Sequence, residues 1–234
     1  AADKLGKIKT VVFDKTGTLT EGQMRLDGII LSDSSSVSTP AALFSRSPTL
    51  GALYVSSCRY NTASDVAHSQ VVGGNGTDRA LLSSVLSMRE SERLTLVSKL
   101  PFDSNIKMSA AEVRRGAERY ALVKGAPERL LPHVVNCVLP DGRLYDFAPL
   151  RKDFEQKLRA LASDGKRVLL IAKAEKAPSV ANIGALTLVC AVSLSDPLRP
   201  QARRSVSELH TAGIGVVMIT GDGKETATAI AREA

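Results

Sequence analysis

A carboxylate and a cation stand side by side near the start of this 234-residue chain. Asp14 and Lys15 follow the apolar run 8–13, and Gly17 comes two residues later. A carboxylate in that place can attack phosphorus, since a glycine-containing turn leaves backbone N–H groups free to bind phosphate oxygens. The competing interpretation of an isolated Asp-Lys pair is a turn cap beside a solvated lysine. The pattern therefore raises phosphoryl transfer as a hypothesis and leaves it open.

The far end of the chain has the same design, with Thr220-Gly221-Asp222 after the apolar run 214–219. The run Ile8–Phe13 and the run 214–219 are typical of short buried strands. Residues 200–211 predict a helix between them, and another helix is expected from Lys224. Strand, helix, strand and helix in this order predict a parallel α/β sheet, whose chemistry lies at the carboxyl ends of the strands.

The middle of the chain has the pattern of a separate α+β unit. Its strands are expected at 94–100, 107–113, 119–124, 167–173 and 186–192, and its helices from Thr77, as the cap, and over 149–162. The Ser-rich stretch 32–40 predicts a linker or exposed loop. The simplest account is a domain inserted at 26–190, which splits an α/β domain into the segments 1–25 and 191–234.

The heptapeptide Asp14-Lys15-Thr16-Gly17-Thr18-Leu19-Thr20 matches the DKTGTLT signature of P-type ATPases without a break. On these residues the chain resembles the cytoplasmic catalytic part of a cation-transporting P-type ATPase. The resemblance implies a haloacid-dehalogenase-like parallel sheet for the split domain. It also implies that Asp14 takes the γ-phosphate of ATP, with Lys15 beside it, and that Asp14 and the backbone of Thr16 help to hold magnesium.

Residue 16 separates a transporter from a phosphatase of the same fold. Such phosphatases usually have Asp two residues after the nucleophile as a general acid/base, and here that residue is Thr16. Threonine cannot act as a carboxylate base, so the acyl phosphate should persist. A soluble phosphatase remains the second hypothesis, which brisk hydrolysis of a generic phosphate ester would favour.

The inserted segment resembles the nucleotide-binding domain of the same family. Lys124-Gly125-Ala126-Pro127-Glu128 matches KGAPE, and the segment from Pro101 to Ser109 resembles PF-x-S-x-x-K-x-M-S, with one residue missing between Lys107 and Met108. The resemblance implies that Phe102 stacks on adenine, that Asp78 approaches its amino group and that Arg167 reaches the phosphates. The implied nucleotide-binding residues within the insert are Asp78, Phe102, Lys107, Lys124, Gly125 and Arg167.

Two motifs mark the return to the split domain. Asp196-Pro197-Leu198-Arg199-Pro200 resembles the hinge motif DPxRP, which implies that Asp196 and Arg199 meet the nucleotide when the domains close. Met218 to Asp222 matches MxTGD, in which Thr220, Gly221 and Asp222 surround the transferred phosphoryl group. A Walker-type loop is the rival interpretation, and it fails because Glu225 follows Lys224 where Ser or Thr is required.

Composition limits the remaining classes of function. Aromatic residues make up 4% of the chain and do not alternate with its basic residues, so the net charge of +7 favours a polyanion such as ATP over nucleic acid. No apolar run approaches the ~18 residues that cross a bilayer, so we expect no direct membrane contact. The three cysteines have no metal-like spacing and are interpreted as reduced thiols.

The resemblance also implies what the chain works with. We expect a fragment on the cytoplasmic side of a membrane, belonging to a parent protein whose actuator and transmembrane domains are its partners. The KGAPE and PF-x-S motifs favour the branch that pumps small hard cations, with calcium the first choice. The parallel sheet is expected to be incomplete at its C-terminal side. A third hypothesis is that the isolated chain binds ATP without turning it over.

Overall fold

Two strands from opposite ends of the chain form a small parallel sheet. The computed structural model describes residues 8–89, 93–221 and 224–234. In it, β1 (Thr10–Asp14) pairs in parallel with β13 (Gly215–Ile219), and the register places Asp14 beside Ile219. A helix precedes β13 and another follows it. These are the strand and helix positions that the sequence predicts for the split α/β domain. The two strands are not buried as predicted, since Val12 is 54% and Ile219 58% exposed.

The rest of the strands build a nine-stranded sheet and a separate hairpin. Seven strands run in the order β10-β9-β12-β11-β8-β7-β6, while β2 pairs with β12 and β3 with β2. All pairs in this sheet are antiparallel except β12 with β9. The strands are β2 (Arg25–Ile30), β3 (Ser36–Val37), β6 (Thr95–Asp103), β7 (Met108–Arg115), β8 (Glu118–Gly125), β9 (Val134–Val138), β10 (Leu144–Asp146), β11 (Arg167–Ala174) and β12 (Leu186–Ser195), and the hairpin is β4 (Ser64–Ala67) with β5 (Gln70–Gly73).

Seven helices accompany the strands in the described residues. They are α1 (Pro40–Arg46), α2 (Pro48–Tyr60), α3 (Gly76–Ser84), α4 (Pro127–Leu130), α5 (Arg151–Ser163), α6 (Ala202–Thr211) and α7 (Lys224–Glu233). The first three pack in one hydrophobic cluster with Ile171 and Val192 of the large sheet. Helices α4 and α5 pack in a second cluster with Leu170 and Ala191. Since neighbouring strand residues point to opposite faces, helices cover the large sheet on both sides.

The mixed α/β architecture confirms the predicted fold class, a parallel sheet beside a largely antiparallel one. The larger sheet nevertheless extends beyond the predicted insert. Arg25 already belongs to β2, and β12, predicted over 186–192, runs to Ser195, past the predicted boundary of the insert at residue 190. Residues 191–194 pair with β2 and all four are buried, so they belong to the larger sheet.

The sequence analysis did not predict α1 and α2. Each begins with a hydroxyl cap followed by proline: Thr39 accepts a hydrogen bond from Ala42, and Ser47 accepts one from Leu50. Proline at the first helical position is favoured, because its missing N–H would have no partner there. The Ser-rich stretch 32–40 hides the first of these caps, at Thr39, and it also contains the short strand β3.

Gly125 has closer neighbours than Gly28, the other glycine compared in the large sheet. A Cβ atom built on Gly125 would lie 2.7 Å from the Lys107 carbonyl oxygen and 2.9 Å from Met108 Cβ. Gly125 pairs with Met108 on one side and with Leu170 on the other, so the backbone has little room to move. This close approach between strands is a structural reason for glycine in the Lys124–Glu128 motif.

We therefore expect Gly125→Ala to lower the free energy of unfolding by about 1–3 kcal/mol through overpacking. Urea unfolding followed by circular dichroism measures it. Gly28→Ala is the matched control, because its Cβ would meet Ser193 Oγ at an ordinary 3.4 Å. Equal stability of the two variants would contradict the steric role of Gly125.

Candidate functional site

Asp14 ends β1 with its side chain exposed, and a tight turn follows it. The turn closes through a 3.0 Å hydrogen bond from the Thr20 N–H to the Lys15 carbonyl. Gly17 has a φ of +78° inside the turn, a left-handed conformation that glycine adopts without strain. Since no atom lies within 4 Å of a Cβ built there, the backbone angle and not crowding favours glycine. The turn thus presents an accessible carboxylate at the carboxyl end of a parallel strand.

The side chain of Thr20 connects this turn to the hinge. Its hydroxyl accepts a hydrogen bond from the Gly17 N–H at 3.2 Å and donates one to Asp196 Oδ2 at 2.6 Å. The other oxygen of Asp196 accepts from the Gln23 N–H at 3.1 Å. Thr20 is fully buried and Asp196 is half-buried, so water is excluded from the Thr20 hydroxyl but only partly from the carboxylate. Asp196 therefore holds both the turn and the chain that leaves it.

Arg199 contacts the same turn from the other side. Its guanidinium donates to the Gly17 carbonyl at 2.8 Å, and its N–H donates to the Leu19 carbonyl at 2.8 Å. Gly17 is thus held at its N–H through Thr20 and at its carbonyl through Arg199. Asp196 and Arg199, predicted to contact nucleotide, lie in this structure against the Asp14 turn.

The second predicted segment begins at the same edge of the small sheet. Thr220 and Gly221 directly follow β13, whose last residue lies beside Asp14. Asp222 lies outside the described residues. The register alone brings Thr220 and Gly221 to the edge at which the Asp14 turn begins.

The predicted magnesium ligands suit that ion chemically. Asp14 offers carboxylate oxygens and Thr16 a backbone carbonyl, and Mg²⁺ takes oxygen ligands, often one or two carboxylates together with substrate phosphates. Both residues are exposed at the end of β1. Within residues 8–89, 93–221 and 224–234, no three His, Cys, Asp or Glu side chains cluster as a metal site.

In the large sheet, Lys124 forms a buried ion pair with Asp78. The two side chains are each 5% exposed. The Lys124 ammonium donates to Asp78 Oδ1 and, at 2.7 Å, to the carbonyl oxygen of Asn61. Removing one partner of such a pair leaves an uncompensated charge in a dry interior. The structure therefore brings together two predicted nucleotide-binding residues from β8 and α3.

The start of α3 completes this polar cluster. Asn75 caps the helix by accepting from the Asp78 N–H at 2.9 Å, and its amide donates to Asp78 Oδ2 at 3.1 Å. Thr77, predicted as the cap, lies inside the helix, where its hydroxyl accepts from Arg167 at 3.0 Å. Arg167 thereby joins the same end of α3 as Asp78 and Lys124.

Phe102 lies on β6, and Lys107 lies in the turn directly before β7. No hydrogen bond or ion pair described for either residue reaches the Lys124–Asp78 pair. Phe102 is 48% exposed, unusually high for an aromatic ring. Lys107 instead forms an ion pair with Glu128 at 3.0 Å. It has a φ of +52°, at the point where one residue of the family motif is missing. Met108 is fully buried directly after it, so the strand register resumes at once.

Sequence reasoning missed several residues of these clusters. Asn61 donates its amide to the carbonyls of Ser109 and Leu122 while its own carbonyl accepts from Lys124. No motif signals it, because its partners are 48 to 63 positions away. Thr20 was visible as the last residue of the heptapeptide, and only its pairing with Asp196 was hidden. A cavity of about 1020 Å³ between the hinge and α3 is lined by none of the predicted site residues.

Comparisons with known proteins agree with these motifs. The family model described as haloacid dehalogenase-like hydrolase matches residues 8–234. The chain is 30% identical to "Probable cation-transporting ATPase I" of Mycobacterium tuberculosis, over 99% of this chain and 15% of that protein. It is 30% identical to "Calcium-transporting ATPase 1" of Bacillus cereus, over 100% of this chain and 27% of that protein. It is 31% identical to "Plasma membrane calcium-transporting ATPase 3" of Homo sapiens, over 99% and 21%.

The chain thus spans between about a seventh and a quarter of the length of these relatives. Within the described part of the chain, no helix has the length and apolar character needed to span a membrane.

The contacts between Thr20 and the hinge predict that removing the Thr20 hydroxyl lowers the free energy of unfolding. Thr20→Val keeps the shape of the side chain and leaves the Gly17 N–H and Asp196 Oδ2 without their buried partner. We expect a loss of about 1–3 kcal/mol in the free energy of unfolding, measured by urea titration. Thr18→Val, at an exposed position of the same turn, should change it by less than about 0.5 kcal/mol. Equal effects at both positions would exclude the hinge role of Thr20.

The buried ion pair predicts a large single-variant effect and a smaller double-variant effect. Lys124→Met leaves the Asp78 carboxylate buried without its cation, which should cost about 3–5 kcal/mol. Lys124→Met combined with Asp78→Asn removes both charges and should recover much of that loss. Unfolding curves of the wild type, the two single variants Lys124→Met and Asp78→Asn, and the double variant measure the coupling. Additive effects of the two substitutions would contradict a buried pair.

Proposed function

The chain belongs to the haloacid dehalogenase-like hydrolase family, and from that premise we propose that it is the ATP-binding and phosphorylation region of an ATP-driven cation pump. The observation that carries the proposal is the unbroken Asp14–Thr20 turn, with its exposed carboxylate at the end of a parallel strand. The relatives named as cation- or calcium-transporting ATPases support it.

In the proposed reaction, Asp14 is the nucleophile. One of its carboxylate oxygens attacks the γ-phosphorus of ATP, the bond from that phosphorus to the β,γ-bridging oxygen breaks, and ADP leaves with the electron pair. In this proposal, backbone N–H groups of the turn and those of Thr220 and Gly221 would stabilise the transferring phosphoryl oxygens. Lys15 and Asp222 complete the proposed catalytic set.

Magnesium, when bound by Asp14 and the Thr16 carbonyl, would neutralise charge on the transferring group. Thr16 has no carboxylate to deprotonate a water molecule, which favours a persistent aspartyl phosphate over rapid hydrolysis. That difference favours a pump over a phosphatase as the use of this fold.

The insert is the proposed source of bound ATP. Lys124 supplies a fixed positive charge, and the half-exposed ring of Phe102 offers a stacking surface of the kind that binds nucleic-acid bases. Arg167, held at Thr77, is proposed to reach the phosphates. Lys107 would have to leave Glu128 in order to contact nucleotide, and that exposed pair costs little to break.

The whole pump is a further proposal, because the chain spans only part of its relatives. Calcium is the proposed cation, following the names of two of the relatives above. The actuator and transmembrane domains of a longer parent are the proposed partners, and the cytoplasmic side of a membrane is the proposed location. For the isolated chain we propose nucleotide binding without full turnover.

ATP titration tests the pocket. We expect Phe102→Ala to weaken ATP binding about tenfold by calorimetry, since stacking of one base on an aromatic ring is worth about 1–3 kcal/mol. Tyr145→Ala is the matched control, because Tyr145 is 45% exposed on β10, at the far edge of the sheet. The Lys124→Met/Asp78→Asn variant should also bind ATP at least about tenfold more weakly while staying folded by circular dichroism.

Two results would overturn the proposal. Unchanged ATP affinity in both Phe102→Ala and the double variant would remove the insert as the nucleotide site. Brisk hydrolysis of p-nitrophenyl phosphate, lost in Asp14→Asn, would favour a phosphatase instead.

A further inference from the structure

The cavity between the hinge and α3 has a volume of about 1020 Å³, and no residue of the proposed reaction or of the proposed ATP site lines it. Two segments supply most of its lining: the chain that leaves the hinge, residues 22–26, and α3 with the residues after it, up to Met88. Small-molecule sites typically enclose about 300–1,000 Å³. The cavity is therefore large enough for a ligand, and its lining indicates the chemistry of that ligand.

The apolar part of the lining is continuous with the hydrophobic core. Four half-buried apolar side chains line the cavity and pack against the cluster that holds α1, α2 and α3: Met24, Leu26, Val71 and Met88. Two of the four are methionines, whose flexible side chains adapt to groups of different shape. Covering such a surface with an apolar group removes it from water, which is favourable. This part of the cavity favours a ligand with an aliphatic body.

The charged part of the lining is entirely basic. Among the described residues that line the cavity none is Asp or Glu, whereas Arg25 and Arg79 are both present and exposed. Arg25 forms an ion pair with Glu21. Arg79 donates from Nη1 to the carbonyl oxygens of Gly73 and Gly74, and no carboxylate pairs with it in the part of the chain that the structure describes. Arg79 therefore presents a positive charge, with Nε and Nη2 still available to an anion.

Hydroxyl groups lie beside this guanidinium. Ser83 follows Arg79 by four residues, so both side chains leave α3 on the same face. Ser87, beyond the end of α3, also lines the cavity, and both serines are exposed. Arginine binds the planar oxygens of a carboxylate or phosphate with two parallel hydrogen bonds, and a hydroxyl can donate a further one. The polar part of the cavity thus favours an anionic head group.

We propose that this cavity binds a small amphiphile, an aliphatic chain that carries a carboxylate or phosphate head. Arg79 and Ser83 hold the head, and the apolar side chains of the lining cover the chain. The site lies next to the hinge, since the N–H of Gln23, which lines the cavity, donates to Asp196 Oδ1 at 3.1 Å. A bound amphiphile therefore contacts both α3 and the chain directly after the crossing. The inference goes beyond the proposed ATP site and does not depend on it.

Octanoate tests the chemistry of the ligand, with octanol as the control for the chain and acetate as the control for the head. In heteronuclear NMR spectra, octanoate should shift the backbone amides of residues 22–26 and 76–88. It should bind at least about tenfold more tightly than either control, because only octanoate engages both parts of the lining. Octyl phosphate, titrated in parallel, shows which head group the site prefers. Unshifted amides in these segments with both octanoate and octyl phosphate would overturn the inference.

A charge placed at the polar end of the cavity tests the position of the head. Ser87→Glu should weaken octanoate binding at least about tenfold by repulsion between the two carboxylates. Ser87→Gln, which has nearly the same size and no charge, should keep the affinity within about twofold. Both substitutions lie at an exposed position after α3, where folding tolerates them. Equal octanoate affinity of the two variants would contradict an anionic head at this place.

Arginine variants identify the cation. Arg79→Gln should weaken octanoate binding at least about tenfold, since it removes the charged donor. Arg119→Gln is the matched control, because Arg119 is an exposed arginine on β8 and does not line the cavity. Phe102→Ala should bind octanoate as wild type does. Weaker octanoate binding in Phe102→Ala would place the molecule in the proposed nucleotide site, and equal losses in the two arginine variants would indicate attraction to net charge alone; either result would overturn the inference.

Discussion

The rest of this structure depends on the hydrogen-bonded crossing of two segments, 19–23 and 196–199. The chain leaves the small sheet after Asp14, builds the larger sheet, and must return beside the place it left, because β1 and β13 pair in parallel. Thr20 bridges to Leu198, and the Glu21 N–H donates to the Pro197 carbonyl at 2.9 Å. These bonds close a loop of about 175 residues, whose entropy cost grows only slowly with its length. The entropy cost of an insertion of this size therefore remains small enough for a short, hydrogen-bonded crossing to offset.

A second constraint operates inside the insert, where the exclusion of water makes the polar cluster around Lys124 and Asp78 rigid. Cys58 of α2 is 1% exposed in this region, and its burial raises the pKa of its thiol to about 12. The Lys124–Asp78 pair also forms hydrogen bonds with Asn61, Ala63 and Asn75, and in such dry surroundings these bonds strengthen one another. The helix cap, the ion pair and the strand register are consequently one cooperative unit. That rigidity gives a ligand a preorganised cation and leaves few groups free to bind it.

Short-range signals in the sequence predicted much of this arrangement. The apolar runs before Asp14 and Thr220 predicted the small sheet, and the heptapeptide predicted the turn. The placement of Asp78, Lys124 and Arg167 around one helix start agrees with the motif order. Long-range partners could not be predicted, because nothing near Thr20 indicates that Asp196 will accept its hydroxyl. Helices α1 and α2 were missed because serines and prolines that cap helices also mark loops. The missing motif residue after Lys107 was visible in the sequence, whereas the left-handed backbone of Lys107 and its ion pair with Glu128 were not.

If Asp196 and Arg199 meet the nucleotide as their motif predicts, they connect the two sites energetically. Asp196 and Arg199 hold Gly17 in the described arrangement, and the family motif expects the same two residues to meet the nucleotide. Both contacts cannot use the same donor and acceptor atoms at full strength. A nucleotide that draws Arg199 towards itself would weaken its bond to the Gly17 carbonyl and alter the backbone next to Asp14. A ligand shifts an equilibrium only by its differential affinity for the two arrangements. Competition for Arg199 would supply such a difference, and it would make the conformation of the phosphorylation turn depend on whether nucleotide occupies the insert.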